Sequence, residues 1–201
     1  MLDSTTSKIY DAIKGSPWGI ATLDVLTSLR LCDDFTLKTI LSRLNKAKKI
    51  IRLKRGVYST YPLMDGFAAA QASFNGYLGF STALYLHKLT TEFPFTVFVV
   101  TVNTSKLKKI GQIEFKAVAL KEKAIGLEYQ GNYVVSTRAK TLFDCIYIPD
   151  YGVEKEKLIN VFQEAQLTNK EWKEFEYYVK KFVREKNRRR FEEIKRRIRK
   201  G

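Results

Sequence analysis

Ten hydroxyl or cationic side chains between residues 36 and 55 are suited to hydrogen bonding with a nucleic acid. Seven occupy positions that a helix beginning near Phe35 would leave outside its apolar face, and three lie in the basic segment behind it. They are Thr36, Lys38, Thr39, Ser42, Arg43, Lys46, Lys49, Arg52, Lys54 and Arg55. Arg and Lys bind guanine edges and phosphates, whereas Thr and Ser bind either kind of oxygen without steric bulk. This chemistry suits recognition of double-stranded DNA.

Two short helices joined by a turn are predicted to position most of these side chains. Thr22 caps the first helix, and the four residues 31–34 form the turn. Asp33 or Asp34 caps the second helix, because a carboxylate there accepts a backbone hydrogen bond and complements the helix dipole. The expected buried stripes are Leu23, Leu26 and Leu29 in the first helix and Leu37, Ile40, Leu41 and Leu44 in the second.

A basic β-hairpin is predicted at residues 50–59. Residues prone to β structure flank Gly56, which can adopt the backbone angles of a tight turn. Alternation along the first strand places Ile51 and Leu53 inward and the cations outward, against a phosphate backbone. Helix–helix–hairpin units also serve in dimerisation and protein binding, and a basic helix face is often merely solvated. The pattern therefore favours DNA binding without excluding an interaction module.

The distribution of charge divides the chain into three parts. The formal net charge is +15. Residues 1–62 carry 11 basic and 5 acidic side chains, residues 184–201 carry 10 and 3, and residues 63–183 have a net charge of only +2. Cations concentrated at both ends are expected where those ends contact a polyanion. With a further helix at about 6–13, residues 1–62 are predicted to form a winged helix-turn-helix domain.

Residues 63–183 are predicted to form a small α+β domain with a sheet of about four strands. The continuous apolar run at 95–102 is typical of a strand buried on both faces. Alternating residues at 113–120 and a turn at 130–132 indicate three more strands. Helices are expected at 64–74, 80–89, 138–148, 154–165 and 170–182.

Residues 184–201 are predicted to form a basic C-terminal helix or tail. Three apolar residues form a narrow stripe, and three acid–base pairs have the spacing of intrahelical ion pairs. The stripe is Phe191, Ile194 and Ile198, and the pairs are Glu185/Arg189, Glu192/Arg196 and Glu193/Arg197. The cations could contact the backbone of DNA or RNA, or the helix could dock on the domain or on a second copy. The sequence leaves both open.

Two segments resemble AbiEi-type antitoxin regulators of type IV toxin–antitoxin systems. They are Tyr77–Thr90, followed by Phe93-Pro94 and a strand, and Tyr133–Asp144. In that family a winged helix ending in Arg-Gly-Val-Tyr precedes such a domain, and the corresponding residues here are 55–58. The resemblance covers about residues 20–146, with two departures: Lys48 and Lys88 stand where the family often has glycine.

The resemblance implies a repressor of its own operon. Such a protein binds repeated sites in the promoter. We expect no cofactor, and the sequence leaves both a monomer and a homodimer open. The partner of such a repressor would be a nucleotidyltransferase-like toxin, which it neutralises without a stable complex. The alternative is a protein- or RNA-binding module without operator specificity.

An enzymatic function is not expected, although four residues have side chains of the types that catalyse reactions. His87 is the single histidine, so mechanisms built on two histidines are excluded. Glu114 and Lys116 have the spacing of metal-dependent nucleases, but the preceding strand at 95–102 lacks the second carboxylate that such a site needs. Asp144 lies in a hydrophobic helical pattern and could be a lone functional carboxylate, but a buried hydrogen-bonded acid explains it as well. A metal-dependent nuclease is therefore a distant alternative, and no metal site is predicted.

The remaining features indicate a cytoplasmic protein. Cys32 and Cys145 lie far apart and offer neither a disulfide framework nor a metal cluster. The polar N-terminus has no apolar signal core, and no run approaches the roughly 18 apolar residues of a membrane span. We expect no membrane partner.

Overall fold

The computed structural model describes residues 4–200, which form a mixed α+β structure of two compact units. The division falls between Asn75 and Gly76. The first unit contains α1 (Ser4–Gly15), β1 (Ile20–Thr22), α2 (Leu23–Ser28), α3 (Asp34–Lys46), β2 (Ile50–Lys54), β3 (Val57–Thr60) and α4 (Gly66–Ser73).

Capping residues and apolar spacing explain the α2–α3 pair. Thr22 Oγ1 accepts a hydrogen bond from the Val25 amide, and Asp33 accepts bonds from the Phe35 and Thr36 amides, so the predicted caps are confirmed. The predicted stripe of α3 is buried against α1 and α2. Of the three residues predicted for the stripe of α2, Leu26 is buried and Leu23 is half-buried. Leu29 is 47% exposed, because the helix ends at Ser28.

The hairpin formed by β2 and β3 contains an irregularity that changes which residues face inward. The antiparallel register shifts between Arg52 and Lys54, which is the mark of a β-bulge. As a result Ile50 and Leu53 are buried, whereas Ile51 is only half-buried. The prediction was right for Leu53 and wrong for Ile51, because simple alternation does not survive a bulge. Strand β1 completes a three-stranded antiparallel sheet of order β1-β3-β2.

Helix α4 lies in the first unit, not in the second as predicted. Asp65 caps it by accepting a bond from the Ala68 amide, and the helix packs on β2 and β3. The expected boundary at residue 62 rested on the distribution of charge along the chain, which carries no information on packing. Tertiary packing moves it to the 75/76 junction.

The second unit combines a six-stranded mixed sheet with a layer of helices. Its elements are β4 (Gly76–Leu78), α5 (Phe80–Leu86), β5 (Thr96–Thr101), β6 (Lys106–Ile110), β7 (Ile113–Ala119), β8 (Leu127–Gln130), β9 (Tyr133–Ser136), α6 (Arg138–Tyr147), α7 (Lys155–Ala165), α8 (Asn169–Phe182) and α9 (Glu185–Lys200). The strand order is β6-β7-β5-β4-β9-β8, with parallel pairs β5/β7 and β4/β9.

Two strands account for the difference from the predicted four. Strand β4 has only three residues, and its first, Gly76, is of a type that is depleted in strands. Gly76 lies against β5 so closely that an added Cβ would be 2.0 Å from the Val100 carbonyl oxygen. Strand β6 is rich in lysine and forms an edge of the sheet, where lysines prevent further strand pairing. Neither strand has the apolar pattern by which strands are usually found.

Helix α9 is an integral part of the second unit rather than a tail. Its predicted stripe, Phe191, Ile194 and Ile198, is buried in the same core as α6, α7 and α8. Its charges pair with other helices: Arg197 with Glu156, Glu193 with Lys155 at 2.8 Å, and Lys195 with Glu176 at 2.7 Å. Within the helix only Lys195 and Glu192 approach, at 3.6 Å. None of the three predicted intrahelical pairs forms among the described residues, and in the pair Glu193/Arg197 each member instead pairs with a residue of α7.

Candidate nucleic-acid interface

Helix α3 exposes a polar face that carries most of the predicted contact residues. Lys38, Ser42, Arg43 and Lys46 are exposed on it. Lys49 is also exposed but follows the helix, which ends at Lys46. The chain turns there because the Lys49 amide donates to the Leu44 carbonyl at 3.0 Å. The prediction that Lys49 shares the helix face was therefore wrong.

The two threonines of α3 are engaged within the helix. Thr36 Oγ1 donates to Asp33 Oδ2 at 2.6 Å, and Thr39 Oγ1 donates to the Phe35 carbonyl at 2.9 Å. Both side chains are half-buried. Their hydroxyl protons are thus already used, and their oxygens retain only the capacity to accept a bond.

A groove of about 770 Å³ lies between α3, the start of α2 and the hairpin. We call it the helix–hairpin groove. Four predicted residues line it, together with eight others. The predicted four are Lys38, Ser42, Arg52 and Arg55, and the others are Thr22, Leu23, Asp24, Leu41, Asn45, Gly56, Val57 and Tyr58. The structure therefore brings the helix and hairpin cations to one concave surface.

Asn45 is the groove residue that sequence reasoning missed. Its Oδ1 accepts a hydrogen bond from the backbone amide of Arg52 at 3.1 Å, which ties the end of α3 to β2. Asn45 carries no charge and gave no signal of its own. Its spacing from Lys38 and Ser42, seven and three residues along the helix, is the pattern that places it on their side.

Lys54 does not line the groove, although it was predicted beside Arg52 and Arg55. Its Nζ donates to Asn75 Oδ1 at 2.9 Å, and its side chain is half-buried. The bulge at 52–54 changes the direction of this side chain relative to its neighbours. Arg43 and Lys46 also lie outside the groove, on the open part of the α3 face.

Five cations of this surface have no ion-pair partner among the described residues. Among residues 4–75, no ion pair involves Lys38, Arg43, Lys46, Lys49 or Arg55. Hydrogen bonds from the Thr36 hydroxyl and the Thr36 and Phe35 amides lower the pKa of Asp33, which keeps that carboxylate ionised at the start of α3. Asp33 therefore interacts with the N-terminus of α3 rather than with these cations, which remain able to bind an external anion.

The residues weighed for catalysis have structural partners. Glu114 Oε1 accepts a bond from Thr96 Oγ1 at 3.2 Å, and Lys116 Nζ lies 4.4 Å from the centre of the Tyr151 ring. His87 Nε2 donates to the Ser136 carbonyl at 2.7 Å, and burial lowers its pKa. In the part of the chain that the structure describes, no three His, Cys, Asp or Glu side chains are grouped so as to hold a metal ion.

Asp144 forms a fully buried ion pair with Lys140, one helical turn earlier. Burial raises the pKa of Asp144 to about 6 and lowers that of Lys140. Neither side chain has measurable exposure, so this pair has no access to a substrate.

Comparisons with known proteins add no family to this description. A scan against protein-family models and a search of curated proteins found no match. None of the described helices is long and apolar enough to cross a membrane.

Proposed function

We propose that this protein is a sequence-specific DNA-binding regulator whose first unit is a winged helix-turn-helix. The observation that carries the proposal is the helix–hairpin groove, where Lys38 and Ser42 of α3 face Arg52 and Arg55 of the hairpin. Lys38 and Arg55, one on each element, form no ion pair among the described residues. Cations on two elements of one concave surface suit a helix in the major groove with a phosphate strand beside it.

In this proposal the open face of α3 enters the major groove. The helix has 13 residues and so a length of about 20 Å, with a polar face free of Glu–Lys pairs. Arg43 and Lys46 contact base edges or phosphates, and Ser42, whose hydroxyl has no hydrogen-bond partner among residues 4–200, can bind either. Arg52 and Arg55 grip the phosphates, while Asn45 keeps the hairpin at a fixed distance from the helix.

We further propose an antitoxin role, in which the protein represses the operon that encodes it and a nucleotidyltransferase-like toxin. The sequence resemblance carries this step. One structural feature supports it: Lys48 and Lys88, which stand where the family often has glycine, have positive φ angles of 54° and 59°. These are backbone conformations that favour glycine. The two lysines therefore adopt the backbone conformation that glycine adopts most readily at such positions.

A second candidate, a protein-binding module, is favoured by exposed apolar side chains in the first unit. Phe35 is 81% exposed at the start of α3, and Val25 and Leu29 of the α2 segment are about half exposed. Sequence preference distinguishes the two candidates. A regulator prefers its own upstream DNA over unrelated DNA, whereas an interaction module shows no such preference.

The proposal is tested by titrating the full-length protein with the DNA upstream of its own gene and with unrelated DNA of the same length. The key variant is Arg52→Ala/Arg55→Ala. Its control is Lys8→Ala/Lys14→Ala, which removes two exposed cations from α1 in the same unit. We expect the groove variant to lower the slope of log affinity against log salt by about 2 and the control to leave it unchanged. Equal behaviour of the two variants would refute the proposal.

A further inference from the structure

A second concave basic surface lies in the second unit, where α8 meets α9. We call this cavity of about 860 Å³ the α8–α9 cleft. Its walls come from a short turn at 121–123, the end of α6, and the junction of the two helices. Five cations line it: Lys123, Arg184, Lys186, Arg189 and Arg190.

Four of these five cations lack a counter-charge. Arg184, Lys186, Arg189 and Arg190 are exposed and form no ion pair among residues 4–200. The acids of the cleft are already used, since Glu122 pairs with Lys123 and Glu193 pairs with Lys155. Like charges held together without counter-charges create a positive potential that an anion relieves.

Three other cations of α9 have partners within the unit. Lys195 and Arg197 pair with acids on α8 and α7, and the guanidinium of Arg199 lies 5.5 Å from the centre of the Trp172 ring. The helix thus uses one set of cations for its own docking and presents another set to the cleft. A division into paired cations and unpaired cleft cations is not expected of a helix whose charges serve only solvation.

The cleft is held in shape by contacts beneath it. Arg188 closes the junction by donating to the Val183 carbonyl at 3.2 Å and to the Lys180 carbonyl at 3.1 Å. At the floor, Lys123 Nζ lies 5.7 Å from the ring centres of both Tyr147 and Phe182. Its side chain is only 17% exposed. The cationic groups therefore surround a pre-formed surface rather than a loose tail.

We propose that the α8–α9 cleft binds the phosphodiester backbone of a nucleic acid strand. Several cations spaced along one helix match successive phosphates better than a single small anion, and the exposed Arg side chains can bind phosphate oxygens in pairs. The inference goes beyond the proposed function, because it concerns the second unit and a separate set of side chains. Duplex DNA and RNA both supply this chemistry.

The test compares two full-length triple variants that lose the same charge. Arg184→Ala/Arg189→Ala/Arg190→Ala empties the cleft of three exposed cations. Its control removes three exposed lysines elsewhere in the second unit, Lys109, Lys170 and Lys173, each to Ala. Thermal unfolding curves verify that both variants remain folded, as exposed side chains predict.

Each protein is titrated over a range of salt concentrations with unrelated duplex DNA and with single-stranded RNA of equal length. We expect the cleft variant to lower the salt slope by about 2 to 3 on the strand type that the cleft binds, and the control to match the unmodified protein. Equal slopes for the cleft variant and the control on both probes would overturn the inference.

The first-unit variant Arg52→Ala/Arg55→Ala, measured alongside, separates this inference from the proposed function. If Arg52→Ala/Arg55→Ala loses binding to the upstream DNA, while the cleft variant keeps the salt slopes of the unmodified protein on both probes, the cleft site alone is overturned. If only the cleft variant lowers the salt slope, and Arg52→Ala/Arg55→Ala binds the upstream DNA as the unmodified protein does, the proposed function is refuted and the cleft site is upheld.

Discussion

Asn45 Oδ1 on helix α3 accepts a hydrogen bond from the backbone amide of Arg52 on strand β2, at 3.1 Å. This bond links the helix that is proposed to enter the major groove with the hairpin that is proposed to grip the phosphates. The position of Arg52 and Arg55 relative to α3 therefore depends on a neutral side chain that makes no direct contact with DNA in the proposal.

Replacing Asn45 by Ala should weaken DNA binding through loss of this link. We expect a loss of about 0.5–1.5 kcal/mol in binding free energy, the usual net value of one hydrogen bond. The Arg52 amide should also exchange its hydrogen faster. Titration with upstream DNA and hydrogen exchange measure the two effects. Unchanged exchange at Arg52 would show that the bond does not hold the hairpin.

Removing one partner of the buried Lys140–Asp144 pair should lower the free energy of unfolding much more than replacing both partners. Lys140→Met or Asp144→Leu alone leaves one buried charge without a partner, so each should lower the free energy of unfolding by about 3–5 kcal/mol. The double variant should recover most of that loss. Chemical denaturation followed by the fluorescence of buried Trp172 measures all three variants. Additive losses in the double variant would contradict this account.

The stripe of α9 should contribute to the stability of the second unit. Ile194 is 2% exposed, so Ile194→Ala should cost about 2–5 kcal/mol in the free energy of unfolding. Arg196→Ala, on the exposed face of the same helix, should change it by no more than about 0.5 kcal/mol. Similar small effects of both substitutions would mean that α9 is a loosely attached tail.

His87 should make the second unit less stable in mild acid. Burial lowers its pKa in the folded state below the ordinary 6.5, so the unfolded chain binds the proton first as the pH falls. The free energy of unfolding should therefore decrease as the pH falls below about 6.5. His87→Gln keeps an N–H donor for the Ser136 carbonyl but cannot titrate.

The difference between the two proteins isolates this effect, because the contribution of Asp144 is common to both. Denaturation at about pH 7.5 and about pH 5 provides the comparison. A pH dependence that is the same in both proteins would show that His87 has no part in it.

The sequence predicted those parts of the fold that depend on local interactions. The caps at Thr22 and Asp33 and the buried face of α3 follow from residue type and helical spacing alone. Strand β5 was found because a continuous apolar run marks a strand inside a sheet, and β5 lies between β7 and β4. The polar face of α3 followed from the same periodicity.

Features that depend on distant partners were not predictable. Lys54 was expected to point outward with Arg52, but Asn75, 21 residues later, binds its ammonium group. Glu193 was expected to pair with Arg197, but each finds a partner on α7. Spacing along one element cannot reveal such partners. The bulge in β2 also depends on pairing with β3, which simple alternation ignores.

The most direct test of the central claim is a gel-shift titration of Arg43→Ala on the best upstream site and on single-base variants of that site. Arg43 is exposed on the α3 face and forms no ion pair among the described residues. If α3 recognises bases, the substitution should weaken binding to the best site by about 1–3 kcal/mol and reduce the preference for one base position. Unchanged affinity together with unchanged site preference would contradict the assignment of α3 to the major groove.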